Sequence, residues 1–228
     1  GPTGTTLHLQ IKRNGQILSF NIIRETIDIA SVHYKTISSN INYIRIDQFT
    51  ENSGKEFELI LPKILKNGSK KLIIDLRNNP GGYLTSTQTI LNHILYKNQT
   101  DFYTENASGT EIPYTSKGPG ELHNYKIAVL INKGSASAAE IMTGALQDLK
   151  LAKIFGTISY GKGTIQQIVD YGNNTTLKLT IAQWLTPDLH SINNVGITPD
   201  YIVNITKTQK ANSQDPQLNA AINYLNSY

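Results

Sequence analysis

The sequence predicts an α/β fold. Two short and continuously apolar runs, residues 71–76 and 125–131, are typical of buried parallel strands. Each run is followed by a loop of small residues and then by a helical pattern of apolar residues. A strand–loop–helix unit carries its loop at the carboxyl edge of a sheet, so we expect both loops at that edge.

The composition is that of a globular protein and excludes several kinds of site. The chain has 228 residues, of which 39% are hydrophobic and 17% charged. Its net charge is +4, but no basic run exceeds Lys70-Lys71, so we expect no nucleic-acid partner. The absence of cysteine excludes disulfides and thiolate metal sites, and the five histidines lack metal-ligand spacing. We therefore expect neither a metal nor another cofactor.

The first part of the chain is rich in strand patterns. Residues 6–11 and 17–22 flank Asn14-Gly15, which is the signal of a tight hairpin turn. This hairpin is too small to form a domain alone. A further β-rich section covers residues 27–46.

Helices and strands alternate from there onwards. Residues 56–65 have a helical apolar face, in which Pro62 predicts a bend or a late start, and Asn67-Gly68 ends the helix. A second helix is predicted over residues 85–95. The polar stretch 97–122 predicts surface hairpins and loops.

The second half repeats the strand–loop–helix order. A turn of small residues at 134–139 leads into a helix over residues 140–148. Strand-like runs follow at 152–158, 164–169 and 177–184, and a terminal helix is predicted over residues 216–225.

Ser137 and Lys162 are the candidate nucleophile and base. Ser137 lies at a helix start, and Lys162 lies between two glycines that allow close backbone approach. A lysine acts as a base only when its amine is neutral, which requires desolvation because the ordinary lysine pKa is about 10.4. Taken singly, Ser137 could equally be the N-cap of a capping box with Glu140, and Lys162 a solvated lysine.

Two further features would complete such a site. If the following strand begins near Lys162, Gln166 shares its face and would hold the lysine nitrogen without adding charge; otherwise Gln166 is an exposed polar residue. The backbone N–H of Ala138 and the Pro80-Gly81-Gly82 loop would supply an oxyanion hole. The alternative for this loop is an ordinary turn.

Four motifs resemble those of one family. They are LIIDLRNNPGGYL at residues 72–84, GSASAAEIMTGALQD at 134–148, YGKGTIQQ at 160–167 and TPDLHSINNVGITPD at 186–200. Together they resemble the C-terminal (tail-specific) processing peptidases, the serine–lysine proteases of the S41 type. The resemblance implies a crotonase-like (ClpP/crotonase-type) protease core over residues 28–205 and a helical tail over 206–228.

The resemblance also implies a role for each candidate residue. Ser137 corresponds to the nucleophile and Lys162 to the general base, which Gln166 orients. The oxyanion amides fall on Gly82 and Ala138, and Ser135 is structural. The implied function is endopeptidase cleavage of proteins near their C-termini through an acyl-enzyme.

The resemblance extends to the N-terminus and to the setting of the protein. Residues 1–27 resemble the final strands of a PDZ domain, which implies that the chain is a fragment. The expected partners are proteins or peptides with accessible C-termini, and peripheral membrane association is compatible with the family. The expected location is the bacterial periplasm or cell envelope, with the targeting segment absent from this chain. The oligomeric state stays open.

Two other functions are compatible with the sequence. The chain could be a catalytically inactive peptide-binding or scaffold module on the same fold, against which the intact set of Ser137, Lys162 and Gln166 argues. It could also be an acyl-CoA enzyme of the crotonase type, but no site for the coenzyme is recognisable in the sequence.

Overall fold

The chain divides into two units. A computed structural model describes residues 1–26, 29–173 and 175–227. The units comprise Gly1–Ala30 and Ser31–Tyr228. Among the described residues, no helix has both the length and the apolar character needed to cross a membrane.

The first unit contains the predicted hairpin. Its strands are β1 (Thr6–Arg13) and β2 (Gln16–Ile23), which pair in antiparallel orientation. Asn14 and Gly15 join them with φ angles of 52° and 82°. Two consecutive positive φ angles match the right-handed twist of a hairpin, and asparagine and glycine are the residues that adopt them at low cost. The hairpin prediction is confirmed.

The second unit is built around a six-stranded sheet. Five of its strands are parallel, and the sixth, at one edge, is antiparallel to its neighbour. In spatial order they are β12 (Tyr201–Ile202), β9 (Ala152–Gly156), β8 (Lys126–Ile131), β5 (Lys71–Asp75), β4 (Ile41–Ile46) and β3 (Val32–Ile37). The two predicted buried strands, β5 and β8, are adjacent and parallel. Their carboxyl ends therefore meet at one edge of the sheet, as predicted.

Helices cover both faces of this sheet. Alternate residues of β5 point to opposite faces: Leu72 and Ile74 join a larger core, and Ile73 joins a smaller one. The helices in the larger core are α1 (Ser53–Lys66), α2 (Leu84–Asn92) and α3 (Ala138–Asp148). The helices after the last strand are α4 (Lys207–Ala211) and α5 (Pro216–Asn226). Of these two, α5 covers the smaller core with Ala221 and Leu225.

A four-stranded antiparallel sheet completes the second unit. In spatial order its strands are β10 (Thr164–Asp170), β11 (Thr176–Leu185), β6 (Thr100–Glu105) and β7 (Glu111–Thr115). The prediction of a hairpin within residues 97–122 is confirmed, but its placement on the surface is wrong for β6. A β-bulge between Thr100 and Phe102 leaves Asp101 without a cross-strand partner. Asp101 and Phe102 are consequently both buried, although neighbours in a regular strand face opposite ways.

Of the two expectations for Pro62, the late start of α1 is wrong, and the bend stays a prediction. The helix begins at Ser53, whose hydroxyl accepts a hydrogen bond from the Thr50 N–H at 2.7 Å, and it continues through Pro62 to Lys66. Pro62 lies on the exposed face. Water can therefore hydrogen-bond the carbonyl that a proline leaves without a donor, so the helix tolerates the residue at this place.

An ion-pair cluster joins α5 to the end of β5. The Arg77 guanidinium donates to both carboxylate oxygens of Asp215 at 2.8 Å and to Asp75 at 2.6 Å. Asp215 also caps α5 by accepting from the Leu218 N–H at 3.0 Å. Burial acts to lower the pKa of Arg77, but the hydrogen bonds to the two carboxylates outweigh it and raise the pKa above its ordinary value. The terminal helix is thus tied to the residue that precedes the glycine loop.

Candidate active site

Hydrogen bonds connect the loops that follow β5 and β8. The Asn132 side chain accepts from the Asn78 N–H at 2.9 Å and donates to the Asn78 side-chain oxygen at 3.0 Å. The Ala136 N–H donates to the Asn79 carbonyl at 2.9 Å. The glycine loop and the serine turn therefore form one structural unit at the sheet edge.

Ser137 occupies a strained position at the start of α3. It is the N-cap residue, with φ 54° and ψ −118°, and its side chain is half-buried. A residue other than glycine rarely adopts this conformation, which costs on the order of 1–3 kcal/mol. A sharp strand-to-helix turn of this kind lifts a serine hydroxyl above the sheet, as in other nucleophile turns. The geometry therefore favours Ser137 as the nucleophile.

The hydroxyl of Ser135 is engaged in the framework of the turn. Ser135 is fully buried, donates to the Leu76 carbonyl at 2.8 Å and accepts from the Asn132 N–H at 3.0 Å. A buried hydroxyl that donates one hydrogen bond and accepts another is held in place. Its arrangement agrees with the structural role that the sequence predicts.

The glycine loop packs directly against Ser137. A Cβ atom on Gly81 would lie 2.8 Å from the Ser137 Cβ and 3.0 Å from the Ala138 nitrogen. Gly82 has φ 142°, and a Cβ there would collide with the Phe49 carbonyl. Both positions therefore require glycine, and the requirement arises from close approach of the loop to the serine turn.

The backbone N–H groups of Gly82 and Ala138 are the candidates for an oxyanion hole. In the part of the chain that the structure describes, neither the Gly82 nor the Ala138 N–H donates a hydrogen bond to another residue. Ala138 is the first residue of α3, where helical N–H groups have no partner within the helix and the macrodipole attracts negative charge. These are the two amides that the sequence predicted for the oxyanion hole.

Glu140 is a central residue of the site that the sequence predicted only as half of a capping box. Its buried carboxylate accepts four hydrogen bonds. One oxygen, Oε2, accepts from the Ser137 N–H at 2.8 Å and from the Lys162 N–H at 2.9 Å. The other, Oε1, accepts from the Ser159 hydroxyl at 2.5 Å and from the Gly161 N–H at 2.6 Å. A single carboxylate oxygen therefore links the backbones of the candidate nucleophile and the candidate base.

The glycines beside Lys162 let its turn pack closely against a neighbouring loop. Gly161 has φ 87°, and a Cβ there would lie 2.9 Å from the Gly196 nitrogen. A Cβ on Gly163 would lie 2.7 Å from the Asn193 Cβ. Lys162 itself is half-buried. The bracketing glycines therefore serve close backbone approach, as the sequence predicted.

The structure does not join the predicted side chains by direct hydrogen bonds. Among the described residues, no hydrogen bond connects the Ser137 hydroxyl to the Lys162 amine, or the Gln166 side chain to that amine. Thr164 and Gln166 lie two positions apart on β10, but a β-bulge between Ile165 and Gln166 interrupts the alternation of faces, and the Gln166 side chain is exposed. Catalytic hydrogen bonds commonly tighten only around a bound substrate, so the roles of Lys162 and Gln166 stay predictions.

No metal site is evident near these residues. Among the described histidine, aspartate and glutamate side chains, no group of three is arranged to hold a metal ion. The ionisable side chains described above at this site are those of Lys162 and Glu140.

Comparison with known proteins gives one consistent family. The model of peptidase family S41 matches residues 40–203. A probable CtpA-like serine protease of Staphylococcus haemolyticus is 39% identical over 201 residues, which cover 88% of this chain and 40% of that protein. One of Staphylococcus epidermidis is 36% identical over 213 residues, which cover 93% of this chain and 43% of that protein. The chain thus spans about two fifths of the length of these curated relatives.

Solved structures share the fold. The photosystem II D1 C-terminal processing protease has a TM-score of 0.70 at 24% identity, over 90% of this chain and 57% of that one. A lipoprotein from Streptococcus agalactiae has a TM-score of 0.65 at 26% identity, over 80% of this chain and 68% of that one.

Proposed function

This chain belongs to peptidase family S41, and from that premise we propose that it is the catalytic part of a serine endopeptidase that cleaves proteins near their C-termini. The proposal depends on the conformation of Ser137 and on the groups that lie near it. This strained serine lies beside the two candidate N–H groups of an oxyanion hole, and its backbone shares one carboxylate oxygen with Lys162.

Each residue has a role in the proposed reaction. The neutral Lys162 amine takes the hydroxyl proton of Ser137 as the serine oxygen bonds to the scissile carbonyl carbon. The negative charge that develops on the carbonyl oxygen is held by the N–H groups of Gly82 and Ala138. The carbon–nitrogen bond then breaks, and Lys162 returns the proton to the leaving amine.

Water completes the cycle. It attacks the acyl-enzyme carbonyl, Lys162 accepts a proton from it, and Ser137 leaves with that proton while the new carboxyl terminus departs. Gln166 is proposed to orient the lysine nitrogen during these steps, which would require its exposed side chain to turn inward when substrate binds.

The domain organisation follows the same premise. We assign residues 28–205 to a crotonase-like protease core, supported by the parallel sheet with helices on both faces, and residues 206–228 to a helical tail.

We assign residues 1–27 to the remnant of a PDZ domain. One face of the β1–β2 hairpin is continuously apolar, with Leu7 opposite Ile22 and Leu9 opposite Phe20. A hairpin with such a face gains stability only when further strands or helices cover it.

The proposed substrates are proteins or peptides with accessible C-termini. The proposed location is the periplasm or cell envelope of a bacterium. Both proposals rest on the family resemblance of the motifs that contain Ser137 and Lys162.

A covalent probe tests the proposed function. A fluorophosphonate should label Ser137 of the chain, and Ser137→Ala should abolish both labelling and the cleavage of an unfolded polypeptide whose products are mapped by mass spectrometry. This variant should lose at most ~2 kcal/mol of stability, the usual range for a changed helix cap. Ser135→Ala should retain part of the labelling.

Two results would overturn the proposal. The first is a chain that neither reacts with the probe nor cleaves any polypeptide, which would indicate an inactive scaffold on this fold. The second is labelling that stays on the chain in the Ser137→Ala variant, which would place the nucleophile elsewhere.

A further inference from the structure

The only tryptophan of the chain, Trp184, is hydrogen-bonded to residues 161–163, the turn that carries Lys162 and that we call the lysine turn. Trp184 is near the end of β11, is 1% exposed and belongs to the larger core. The preceding residue, Gln183, pairs with Thr164 of β10. Trp184 itself pairs with Thr104 of β6, on the other side of the strand. The residue is therefore fixed by the sheet as well as by its burial.

Trp184 makes two hydrogen bonds to the turn that carries Lys162. Its indole Nε1–H donates to the Lys162 carbonyl at 2.9 Å, and its backbone N–H donates to the Gly163 carbonyl at 2.9 Å. The Lys162 N–H, on the other side of the same Cα, donates to the Glu140 carboxylate at 2.9 Å. Both peptide groups that flank the Cα of the candidate base are thus bound to buried side chains.

We propose that Trp184 is a positioning residue for Lys162. The inference rests on the proposed function, because it assigns to the indole the task of holding the base in place. The Lys162 amine ends a flexible chain of four methylene groups, so its position depends first on the Cα from which that chain starts. The indole N–H and the Glu140 carboxylate fix that Cα from its two sides.

The burial of the indole makes this contact specific. A buried N–H without an acceptor costs on the order of 1–3 kcal/mol, so the indole and the Lys162 carbonyl hold each other in a single arrangement. A displacement of about 1 Å at a catalytic group can slow a reaction about 100-fold. Removal of one of several anchors should have a smaller effect, on the order of tenfold.

The test replaces only the hydrogen-bond donor. Because the chain has a single tryptophan, a tryptophan-auxotrophic host can introduce 3-benzothienylalanine at position 184 alone. This analogue keeps the shape of the side chain but carries sulfur where indole has its N–H. We expect kcat for polypeptide cleavage to fall on the order of tenfold with KM changed less than twofold, and fluorophosphonate labelling of Ser137 to slow by the same factor.

A genetic variant and a control keep the test decisive. Trp184→Phe, which also lacks the donor, should show the same loss of kcat. Phe102→Leu removes a buried aromatic ring from the same core without touching the lysine turn. It should lower the melting temperature and leave kcat within twofold of the parent at 25 °C.

The outcomes separate the inference from the proposed function. Full kcat in both proteins altered at Trp184 would overturn the positioning role and leave the peptidase proposal intact. An equal loss of kcat in Phe102→Leu would also overturn it, since any weakening of the core would then act on the site. A parent chain that neither cleaves polypeptide nor reacts with fluorophosphonate would overturn the proposed function itself, and the inference with it.

Discussion

Replacing Glu140 by glutamine should weaken the link between Ser137, the candidate nucleophile, and Lys162, the candidate base, without changing the shape of the side chain. Glu140 presents two acceptor oxygens to four donors. Glutamine offers one oxygen and one NH₂ group, which is itself a donor. In either orientation, the NH₂ group faces at least one backbone N–H that has no other acceptor.

The magnitude depends on which oxygen is retained. If the amide oxygen takes the place of Oε2, the bonds from Ser137 and Lys162 remain, and the Gly161 N–H is left without a partner. The opposite orientation leaves the backbone N–H groups of both Ser137 and Lys162 without an acceptor. A buried donor without a partner costs about 1–3 kcal/mol, and the remaining bonds lose the strength that a charged acceptor gives them. We expect the variant to be destabilised by about 2–4 kcal/mol.

The assay combines stability with reactivity. Urea unfolding at 25 °C gives the change in the free energy of unfolding, and the rate of fluorophosphonate labelling reports the state of Ser137. We expect labelling to slow about 100-fold or more, because the backbone hydrogen bonds that hold both Ser137 and Lys162 are disturbed.

A matched control uses the same substitution elsewhere in the chain. Glu56 accepts from the Ser31 N–H, the Ser31 hydroxyl and the Val32 N–H, but all three bonds end on one oxygen. Glutamine can keep that oxygen, so Glu56→Gln should cost less than ~1 kcal/mol and leave labelling unchanged. The reasoning is refuted if Glu140→Gln keeps the stability and labelling rate of the parent, or if both substitutions slow labelling equally.

Three further predictions concern a buried carboxyl, the terminal helix and the glycine loop. Burial raises the pKa of Asp101 from 3.8 to about 6, so stability should fall by up to about 3 kcal/mol as the pH rises through that window. Asp101→Asn, which cannot ionise, should lack this fall in urea unfolding between pH 4 and 7.5, and an unchanged pH dependence would contradict the assignment. Asp215→Ala removes a partner of the buried Arg77 guanidinium, so the free energy of unfolding should drop by about 3 kcal/mol, whereas a drop below ~1 kcal/mol would show that the contact is weak. Gly82→Ala should abolish labelling of Ser137, because a Cβ would collide with the Phe49 carbonyl and displace the loop, and normal labelling would exclude this loop from the site.

Local patterns in the sequence were sufficient for much of the fold. Runs of apolar residues predicted β5 and β8 as buried parallel strands, and the small-residue turn predicted the start of α3 at Ser137. The reason is that strand burial and helix caps depend on residues within a few positions of each other. The loops around Gly82 and Ser137 met at one edge because parallel strands end on the same side of a sheet.

Other features depend on contacts that no local pattern records. The burial of Asp101 follows from a β-bulge against β7, and the two-residue strand β12 exists only because β9 offers an edge to pair with. The short helix α4 lies within the helical tail that the family resemblance implies, but no local pattern of residues predicted its bounds. Its residues are mostly exposed, so its apolar pattern gives no signal.

The candidate site shows the same division most clearly. The sequence by itself identified the candidate residues, because Ser137, Lys162 and the glycine loop each lie in a motif whose spacing fits a nucleophile, a base and an oxyanion hole. Only the tertiary structure decided how they are held. Glu140 and Trp184 reach the Lys162 turn across more than 20 positions of the chain, through hydrogen bonds whose partners are chosen by the packing of separate strands and helices. A buried donor must find an acceptor wherever folding places one, and that choice is a property of the whole core, which no short stretch of sequence contains.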